Sequence, residues 1–180
     1  MFFDNLDEYL SSLAIEIDIF SANDSNLLRI AQMTQKTNQF NLTTKRYTED
    51  QLRVLISDGA FVFCAQVKDK FGDNGITVAA IITHTENEQL HLDSYLLSCR
   101  ILGREIEKVV LLKILTLVNP QTQKPVNATY IPTSKNAQAA NFLEKTGFFL
   151  TETTSDGAKK YLFDSKENIE IKDYYKITIK

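Results

Sequence analysis

The chain has 180 residues, of which 43% are hydrophobic and 24% charged, and its formal net charge is −3. This length suits one domain over 1–180 with a sizeable core. The small negative charge argues against electrostatic binding to nucleic acid or to a membrane surface. No apolar run approaches the roughly 20 residues that span a bilayer, and the acidic N-terminal segment, MFFDNLDEYL, is unlike a secretory signal.

Cysteine and histidine are scarce in this sequence. Cys64 and Cys99 are the two cysteines, and His84 and His91 are the two histidines. Two cysteines in a chain of this length do not suggest a disulfide framework, which favours a reducing, cytoplasmic location. Because there is no CxxC or HExxH pattern, we expect no metal site.

The first third of the chain predicts helices around one strand. The strand rests on the period-2 alternation of Ile15, Ile17 and Ile19. The string TEDQ that begins at Thr48 is a capping-box pattern and predicts the start of a helix. In order, the predicted elements are a lead-in helix over 1–13, a strand over 15–19, a helix from about 24, a polar loop over 37–46 and a helix from 48 to 55 or 56.

Three sequential strands are predicted next, over 61–67, 76–85 and 90–98, because these runs are rich in aromatic and β-branched residues. The segment KDKFGDNG, over 68–75, carries the Asp, Asn and Gly of a tight turn. The first two of these strands are therefore expected to form a β-hairpin, and the third to follow them in an antiparallel sheet.

The rest of the chain alternates helices and strands. An amphipathic pattern predicts a long helix over 103–118, which Pro120 ends. Gly147 has the position of a left-handed residue that closes a helix. The further predicted elements are a strand over 126–131, a helix from about 135 to 145, a strand over 148–151 and terminal strands over 161–163 and 172–179. This order indicates an α/β (α+β) fold with a mixed, mostly antiparallel sheet flanked by helices.

A candidate phosphate-binding turn joins the third sequential strand to the long helix. Backbone amides and the helix dipole at a helix N-terminus attract an anion, and a glycine permits its close approach. The alternative is a glycine at a tight junction with solvated arginines. The residues of this candidate cofactor site are Ser98, Arg100, Ile101, Leu102, Gly103 and Arg104.

The string SCRILGRE resembles the pyrophosphate loop of the GNAT acyltransferases, whose pattern is (Gln/Arg)-x-x-Gly-x-(Gly/Ala). Arg100 and Gly103 match this pattern, whereas Glu105 replaces the final small residue. The resemblance implies binding of coenzyme A or of a phosphopantetheine thioester. Glu105 and Glu107 fall in the first helical turn, where they would complement the helix dipole themselves.

A second string, NAQAANFLEKTGF over 136–148, resembles the GNAT motif Asn-x-x-Ala-x-x-(Phe/Leu)-Tyr-Glu-Lys-x-Gly-Phe. The resemblance implies the GNAT fold, with Asn136 and Ala139 near the pantetheine arm. In the family the motif's Tyr often protonates the departing thiolate. Leu143 stands at that position and cannot donate a proton.

A narrower resemblance covers about residues 1–150. The strings RIAQMTQKTNQFNLTTKRYTE, KDKFGDNG and LLSCRILGRE are similar to the C-terminal, GNAT-like domain of FkbH-like proteins. In that family the domain follows a phosphatase-type domain of the haloacid dehalogenase superfamily, and members supply three-carbon glyceryl-type units to acyl carrier proteins in polyketide pathways. The resemblance implies an acyl carrier protein as partner and a phosphatase-type domain in the same pathway or polypeptide. The phosphatase's Asp-x-Asp motif is absent here, so phosphatase activity is not expected.

Two residues of the third sequential strand are candidates for catalysis. Strict alternation would place His91, Asp93, Tyr95, Leu97 and Cys99 on one face. Asp93 is the candidate general base; alternatively, it is a locally hydrogen-bonded residue at a polar strand end. Cys99 is the candidate acyl-accepting nucleophile, because an arginine and a helix N-terminus lower a thiol pKa; alternatively, it is a small buried residue.

The polar loop supplies the candidate substrate-binding residues, which are Asn38, Gln39, Asn41 and Thr43. Their amides and hydroxyls are neutral donors and acceptors that suit a polyhydroxy or small acyl substrate. Alternatively, these side chains satisfy the loop's own backbone.

The function predicted from the sequence is acyl or glyceryl-type transfer, or binding, by a domain that recognises a phosphopantetheine thioester. Two alternatives stay open at this point. One is a non-catalytic domain that docks a carrier protein and partners a phosphatase-type domain. The other is a conventional N-acetyltransferase for a small amine.

Overall fold

The computed structural model describes residues 5–120, 124–163 and 171–180. The helices are α1 (Leu6–Ser12), α2 (Leu27–Lys36), α3 (Glu49–Ser57), α4 (Ile106–Val118) and α5 (Phe142–Lys145). The strands are β1 (Glu16–Ser21), β2 (Phe40–Asn41), β3 (Phe61–Asp69), β4 (Gly72–His84), β5 (Leu90–Leu97), β6 (Val126–Tyr130), β7 (Phe149–Thr153), β8 (Lys159–Phe163) and β9 (Lys176–Ile179). The start of the predicted lead-in helix, 1–4, lies outside the described residues.

All nine described strands belong to one sheet, in the order β7-β8-β6-β5-β4-β3-β1-β9, with β2 paired to β5. The pairs β1–β9 and β5–β6 are parallel, and the other pairs are antiparallel. The hairpin predicted around 68–75 is β3–β4. The mixed, mostly antiparallel sheet with its helices confirms the predicted fold class.

Helices cover both faces of the sheet. One apolar cluster joins α1, α4 and α5 to the sheet face that carries Ile17, Tyr95 and Leu97. A smaller cluster joins α2 and α3 to the opposite face, which carries Cys64 and Leu96. Because alternate residues of a strand point to opposite faces, β5 contributes to both clusters and lies at the centre of the molecule.

Side-chain caps fix the starts of two helices. The Thr48 hydroxyl accepts a hydrogen bond from the Gln51 amide at 3.2 Å, and the Gln51 side chain accepts one from the Thr48 amide at 2.8 Å. The predicted capping box is therefore present. At α1 the Asn5 side chain accepts from the Glu8 amide at 2.9 Å. Such caps typically stabilise a helix by about 1 kcal/mol.

The predicted continuous helix over 135–145 is wrong. The chain instead forms a 3₁₀ turn, Ala137–Ala139, and the short helix α5. The Asn136 side chain accepts a hydrogen bond from the Thr133 amide at 2.7 Å, which fixes a turn there, and Asn141 has a non-helical backbone conformation (φ −116°, ψ 16°). Asn residues compete with helical hydrogen bonds in this way.

The predicted start of the long helix at 103 is also early. Gly103 and Glu105 both have positive φ, 80° and 54°, so α4 begins at Ile106. No helix among the described residues is long and apolar enough to cross a membrane.

Candidate active site

Strands β5 and β6 diverge after a short parallel pairing, and the chain's own β2 lies in the gap. Leu90 to Leu92 pair with Val126 to Ala128. Beyond them the same edge of β5 pairs with β2, where Phe40 faces Leu97 and Asn41 faces Leu96. The segment predicted as a polar loop, 37–46, thus contains a two-residue strand.

Residue Leu42 continues this bridge between the diverging strands. Its amide donates to the Tyr95 carbonyl at 3.1 Å, and its carbonyl accepts from the Ile131 amide at 2.8 Å. Leu42 is fully buried. The segment 40–42 is therefore built into the sheet and closes this part of the gap.

Two asparagines hold the segment in place. The Asn136 amide donates to the carbonyls of Asn41 and Ile131, both at 2.9 Å. The Asn41 side chain accepts from the amides of Thr43 and Thr44 and donates to the Thr37 carbonyl at 3.1 Å. Asn41 and Asn136 are 0% exposed, and nearly all their hydrogen-bonding capacity is used inside the protein.

An aromatic cluster packs beneath the same segment. The Phe40 ring meets the Phe142 ring edge-on with centroids 5.0 Å apart, and Phe142 stacks on Tyr95 at 5.5 Å. Leu143, the residue at the position of the GNAT motif's Tyr, is buried at 1% exposure, as is Ala139. These apolar contacts anchor β2 against the 3₁₀ turn and α5.

The expectation that Asp93 shares a strand face with Tyr95 and Leu97 is wrong. In the β4–β5 ladder Ile81 pairs with Ser94 and Ile82 with Leu92, so Asp93 is the extra residue of a β-bulge. A bulge breaks the period-2 alternation at the inserted residue. The Asp93 side chain consequently meets Lys45 and Tyr47, which follow β2 along the chain.

The Asp93 carboxylate is fully engaged in a buried polar cluster. It forms an ion pair with Lys45 and accepts hydrogen bonds from the Tyr47 hydroxyl at 2.6 Å and from the Ser94 hydroxyl at 3.1 Å. Thr43 adds a bond to the Asp93 carbonyl at 3.0 Å. Burial, together with the hydrogen bond to this carboxylate, raises the pKa of Tyr47 far above its usual value.

A cavity of about 740 Å³ opens beside the closed gap, where β5 ends. Its walls are one face of α2, the segment 37–39, the end of β5 and the segment 134–135. The lining residues are Arg29, Gln32, Met33, Lys36, Thr37, Asn38, Gln39, Leu97, Ser98, Cys99, Ser134 and Lys135. Cavities of this size accommodate small ligands.

The predicted site residues outside the turn at 100–104 divide between the cavity and the closed gap. Asn38, Gln39, Ser98 and Cys99 line the cavity. Asn41, Thr43, Asp93, Asn136 and Ala139 are buried and are not among its lining residues.

The cavity's three basic side chains, Arg29, Lys36 and Lys135, were not predicted from the sequence. For Arg29 and Lys36 the helical spacing was a usable signal, because positions 29, 32, 33 and 36 fall on one face of a helix.

The turn before α4 has the conformation that its glycine predicts. Gly103 has φ of 80°, a region that other residues rarely adopt. Cys99–Ile101 forms a 3₁₀ turn in which Ile101 is buried, whereas Arg100 is exposed and Leu102 is half-buried. Within the described chain the Gly103 amide forms no hydrogen bond to a protein acceptor.

Contacts from two distant elements brace this turn. Arg104 is ion-paired with Asp69 at the end of β3, and the Arg104 carbonyl accepts from the Tyr175 hydroxyl at 2.8 Å. Burial opposes ionisation of Asp69, but hydrogen bonds from the Phe71 amide, Arg104 and Asn74 hold its pKa below the usual value. Arg104 is thus already committed to a structural ion pair.

Glu107 lies just inside α4, and burial raises the pKa of its carboxyl group. One of its carboxyl oxygens is buried and makes no hydrogen bond among the described residues.

The two cysteines have opposite environments. Cys99 is exposed at the cavity wall. Cys64 is 0% exposed, and burial raises the pKa of its thiol to about 12. Among the described residues, no cluster of three or more His, Cys, Asp or Glu side chains is arranged to hold a metal ion.

No protein-family model and no curated protein matches the sequence. Solved structures do match. A GNAT-family acetyltransferase of Desulfovibrio desulfuricans has a TM-score of 0.63 at 13% identity, over 82% of this chain and 98% of that one.

Two further matches are to enzymes with named substrates. The ribosomal-protein-S18-alanine N-acetyltransferase of Escherichia coli has a TM-score of 0.59 at 14% identity over 86% and 99% of the two chains. A mutant of the spermidine N-acetyltransferase of Vibrio cholerae has a TM-score of 0.59 at 11% identity over 82% and 92%. With the diverging strands and the glycine turn already described, these likenesses show that this chain has the fold of the GNAT acetyltransferases.

Proposed function

We propose that this chain is an acyltransferase that moves an acyl group from a phosphopantetheine thioester, of the acyl-CoA type, to a small acceptor bound in the cavity. The cavity carries this proposal, because it opens at the end of β5 and includes Ser98 and Cys99, the first residues of the glycine turn. The solved neighbours, two of them named as N-acetyltransferases of an amine-bearing substrate, favour amine acceptors. The two free cysteines fit a reducing, cytoplasmic compartment.

The reaction requires few groups from the protein. The acceptor's nitrogen or oxygen forms a bond to the thioester carbonyl carbon, the carbon–sulfur bond breaks, and the proton lost by the acceptor is taken up at the thiolate or by water. Correct placement of acceptor and thioester supplies a large part of such an acceleration. Cys99, at the cavity wall, remains the candidate to hold the acyl group between donor and acceptor, whereas Asp93, the base predicted from the sequence, is buried and does not line the cavity.

The chain fits the two ends of a thioester ligand better than its middle. The phosphate end fits the Gly103 turn, with its unbonded amide and exposed Arg100, and the acyl end fits the cavity. The resemblance implies that the arm passes Asn136 and Ala139, yet both are buried beneath β2. A bound arm would therefore pass along the cavity wall at Asn38 and Gln39 and not beneath β2.

The narrower FkbH-like role, with an acyl carrier protein as donor and a phosphatase-type partner domain, rests on the sequence strings alone. A second candidate function, a non-catalytic carrier-docking domain, is favoured by the filled gap and by Leu143 at the position of the thiolate acid. These candidates differ in what they bind.

Thermal unfolding with added ligands separates the three. If the chain is an acyl-CoA enzyme, acetyl-CoA and CoA at ten times Kd should stabilise it by about 1.4 kcal/mol, which raises Tm by roughly 3–6 °C for a chain of this size. A preference for holo over apo carrier protein supports the FkbH-like role, and equal stabilisation by both supports docking. If neither CoA species nor holo carrier raises Tm, the acyltransferase proposal is wrong.

A further inference from the structure

Three basic side chains line the cavity and have no ion-pair partner in the described part of the chain. Arg29 and Lys36 belong to α2, and Lys135 belongs to the segment 134–135. Each side chain is cationic at neutral pH. Within the described parts of the chain, none of the three forms an ion pair.

Other basic residues near the site are already occupied. Lys45 pairs with Asp93, and Arg104 pairs with Asp69. Arg46 donates to the carbonyls of Thr34 and Thr37. The cavity cations are thus distinct from the cations that hold the fold together.

No acidic residue is among the described residues that line the cavity. The formal net charge of the whole chain is −3, so a wall with three cations and no acid is a local reversal of sign. Like charges around a concave space raise its positive potential. Such a potential attracts an anion and repels a cation.

We propose that this cavity recognises an anionic group, a carboxylate or a phosphate, through the three cations of its lining, Arg29, Lys36 and Lys135. The inference rests on the proposed function and adds the substrate class to it. Neutral donors and acceptors beside the cations, such as Asn38, Gln39 and Ser134, suit the uncharged part of the ligand. A polyamine acceptor is disfavoured by the same charges.

The anionic group has two possible sources, which are the acceptor's carboxylate and the phosphate of the pantetheine arm. Two matched pairs of probes distinguish them, namely N-acetylalanine against N-acetylalaninamide and 4′-phosphopantetheine against pantetheine. Each pair differs only in the anion. Binding is measured by calorimetry for the full chain and for Arg29→Gln, Lys36→Gln and Lys135→Gln.

The matched control is Lys176→Gln. Lys176 lies on β9 at the edge of the sheet and pairs with Glu16 on the surface, so the substitution changes the net charge equally, far from the cavity. In at least one pair we expect the anionic probe to bind roughly tenfold more tightly than its neutral counterpart. Each cavity substitution should reduce that preference several-fold, and the control should leave it unchanged.

The outcomes separate this inference from the proposed function. Equal binding of both members of both pairs, or an anion preference that the cavity variants retain, overturns the inference. If acetyl-CoA binds but no anionic probe does, the inference falls and the acyltransferase proposal stands. If acetyl-CoA and all four probes fail to bind, both are wrong.

Discussion

Strand β5 borders two polar regions, which differ in whether their polar side chains have partners inside the protein. In the closed gap, the polar side chains are hydrogen-bonded to the backbone or to neighbouring side chains. These residues are Asn41, Thr43, Asp93 and Asn136. In the cavity, Arg29, Lys36 and Lys135 have no protein partner within the described chain. Buried polar groups without partners are costly, so the first set is tied to the fold, whereas the second set is available to a ligand.

Predicted site residues can be assigned to binding or to the fold by whether their polar atoms already have partners. Asn38 and Asn41 lie three positions apart in the same loop, yet Asn41 is fully buried and bonded to the backbone. Asn38 lines the cavity, and although its side-chain oxygen accepts from Arg46, its side-chain N–H groups have no partner within the described chain. Residue type is therefore a weaker guide to function than the availability of the polar atoms. Four predictions test whether the closed gap belongs to the fold and the cavity to ligand binding.

Substitution of Asn136→Ala should have the largest effect on stability. It removes two hydrogen bonds donated to the Asn41 and Ile131 carbonyls and two accepted from the Thr133 amide and the Tyr130 hydroxyl. We expect a loss of about 3 kcal/mol, measured by urea denaturation. The control, Asn127→Ala, removes one bond to the Gln89 side chain near the surface and should cost less than about 1 kcal/mol. Similar losses for both variants would show that Asn136 does not hold the gap closed.

Thiol labelling should separate the open region from the core. We expect an alkylating reagent to modify Cys99, which is exposed at the cavity, at least about a hundredfold faster than the buried Cys64. Peptide mass spectrometry after short exposure gives both rates, and Cys99→Ser and Cys64→Ser serve as controls. A cavity ligand should slow the labelling of Cys99 only. Comparable rates for the two thiols would contradict the assignment of the open side.

Substitution of Asp93→Asn tests whether this residue belongs to the fold or to catalysis. Loss of the charge weakens the contacts with Lys45 and Tyr47, and we expect unfolding to become easier by about 1–2 kcal/mol. Asp24→Asn, which breaks a surface ion pair with Arg53, should cost under about 0.5 kcal/mol. Loss of acetyl transfer with unchanged stability would identify Asp93 as a catalytic base instead.

The smallest effect should be the pH dependence that His91 contributes. Burial lowers the pKa of His91, and nearby Lys45 adds to this while Asp93 opposes it. In the unfolded chain the imidazole takes up a proton near its ordinary pKa of about 6.5. As pH falls below that value, the unfolded state binds the proton before the folded state does, so stability declines until the lowered folded pKa is passed.

Denaturation at pH 7.5 and pH 5.5 measures this contribution. The fall in stability between the two values should be smaller in His91→Gln than in the native chain, and His84→Gln, at an exposed site, should leave it unchanged. An identical fall in all three proteins would show that His91 does not contribute.

Local patterns in the sequence determined much of the fold. The capping box at Thr48, the alternation in β1 and the glycine turn before α4 are each set by residues within a few positions of one another. Their energies come from nearby backbone and side-chain contacts. The order of these elements therefore sufficed to predict a mixed sheet flanked by helices.

The site was decided by tertiary structure. Three features shape the site, and each joins residues far apart in sequence. They are the bulge at Asp93, the insertion of β2 between β5 and β6, and the placement of Lys135 and α2 around one cavity. No residue type or local pattern in the sequence marks the position of the bulge. A two-residue strand is too short for a period-2 alternation to reveal it. Such contacts form only when the whole sheet is assembled, because long-range pairings depend on every strand between them. The sequence by itself thus specified the elements, whereas packing specified which polar atoms remained available to a ligand.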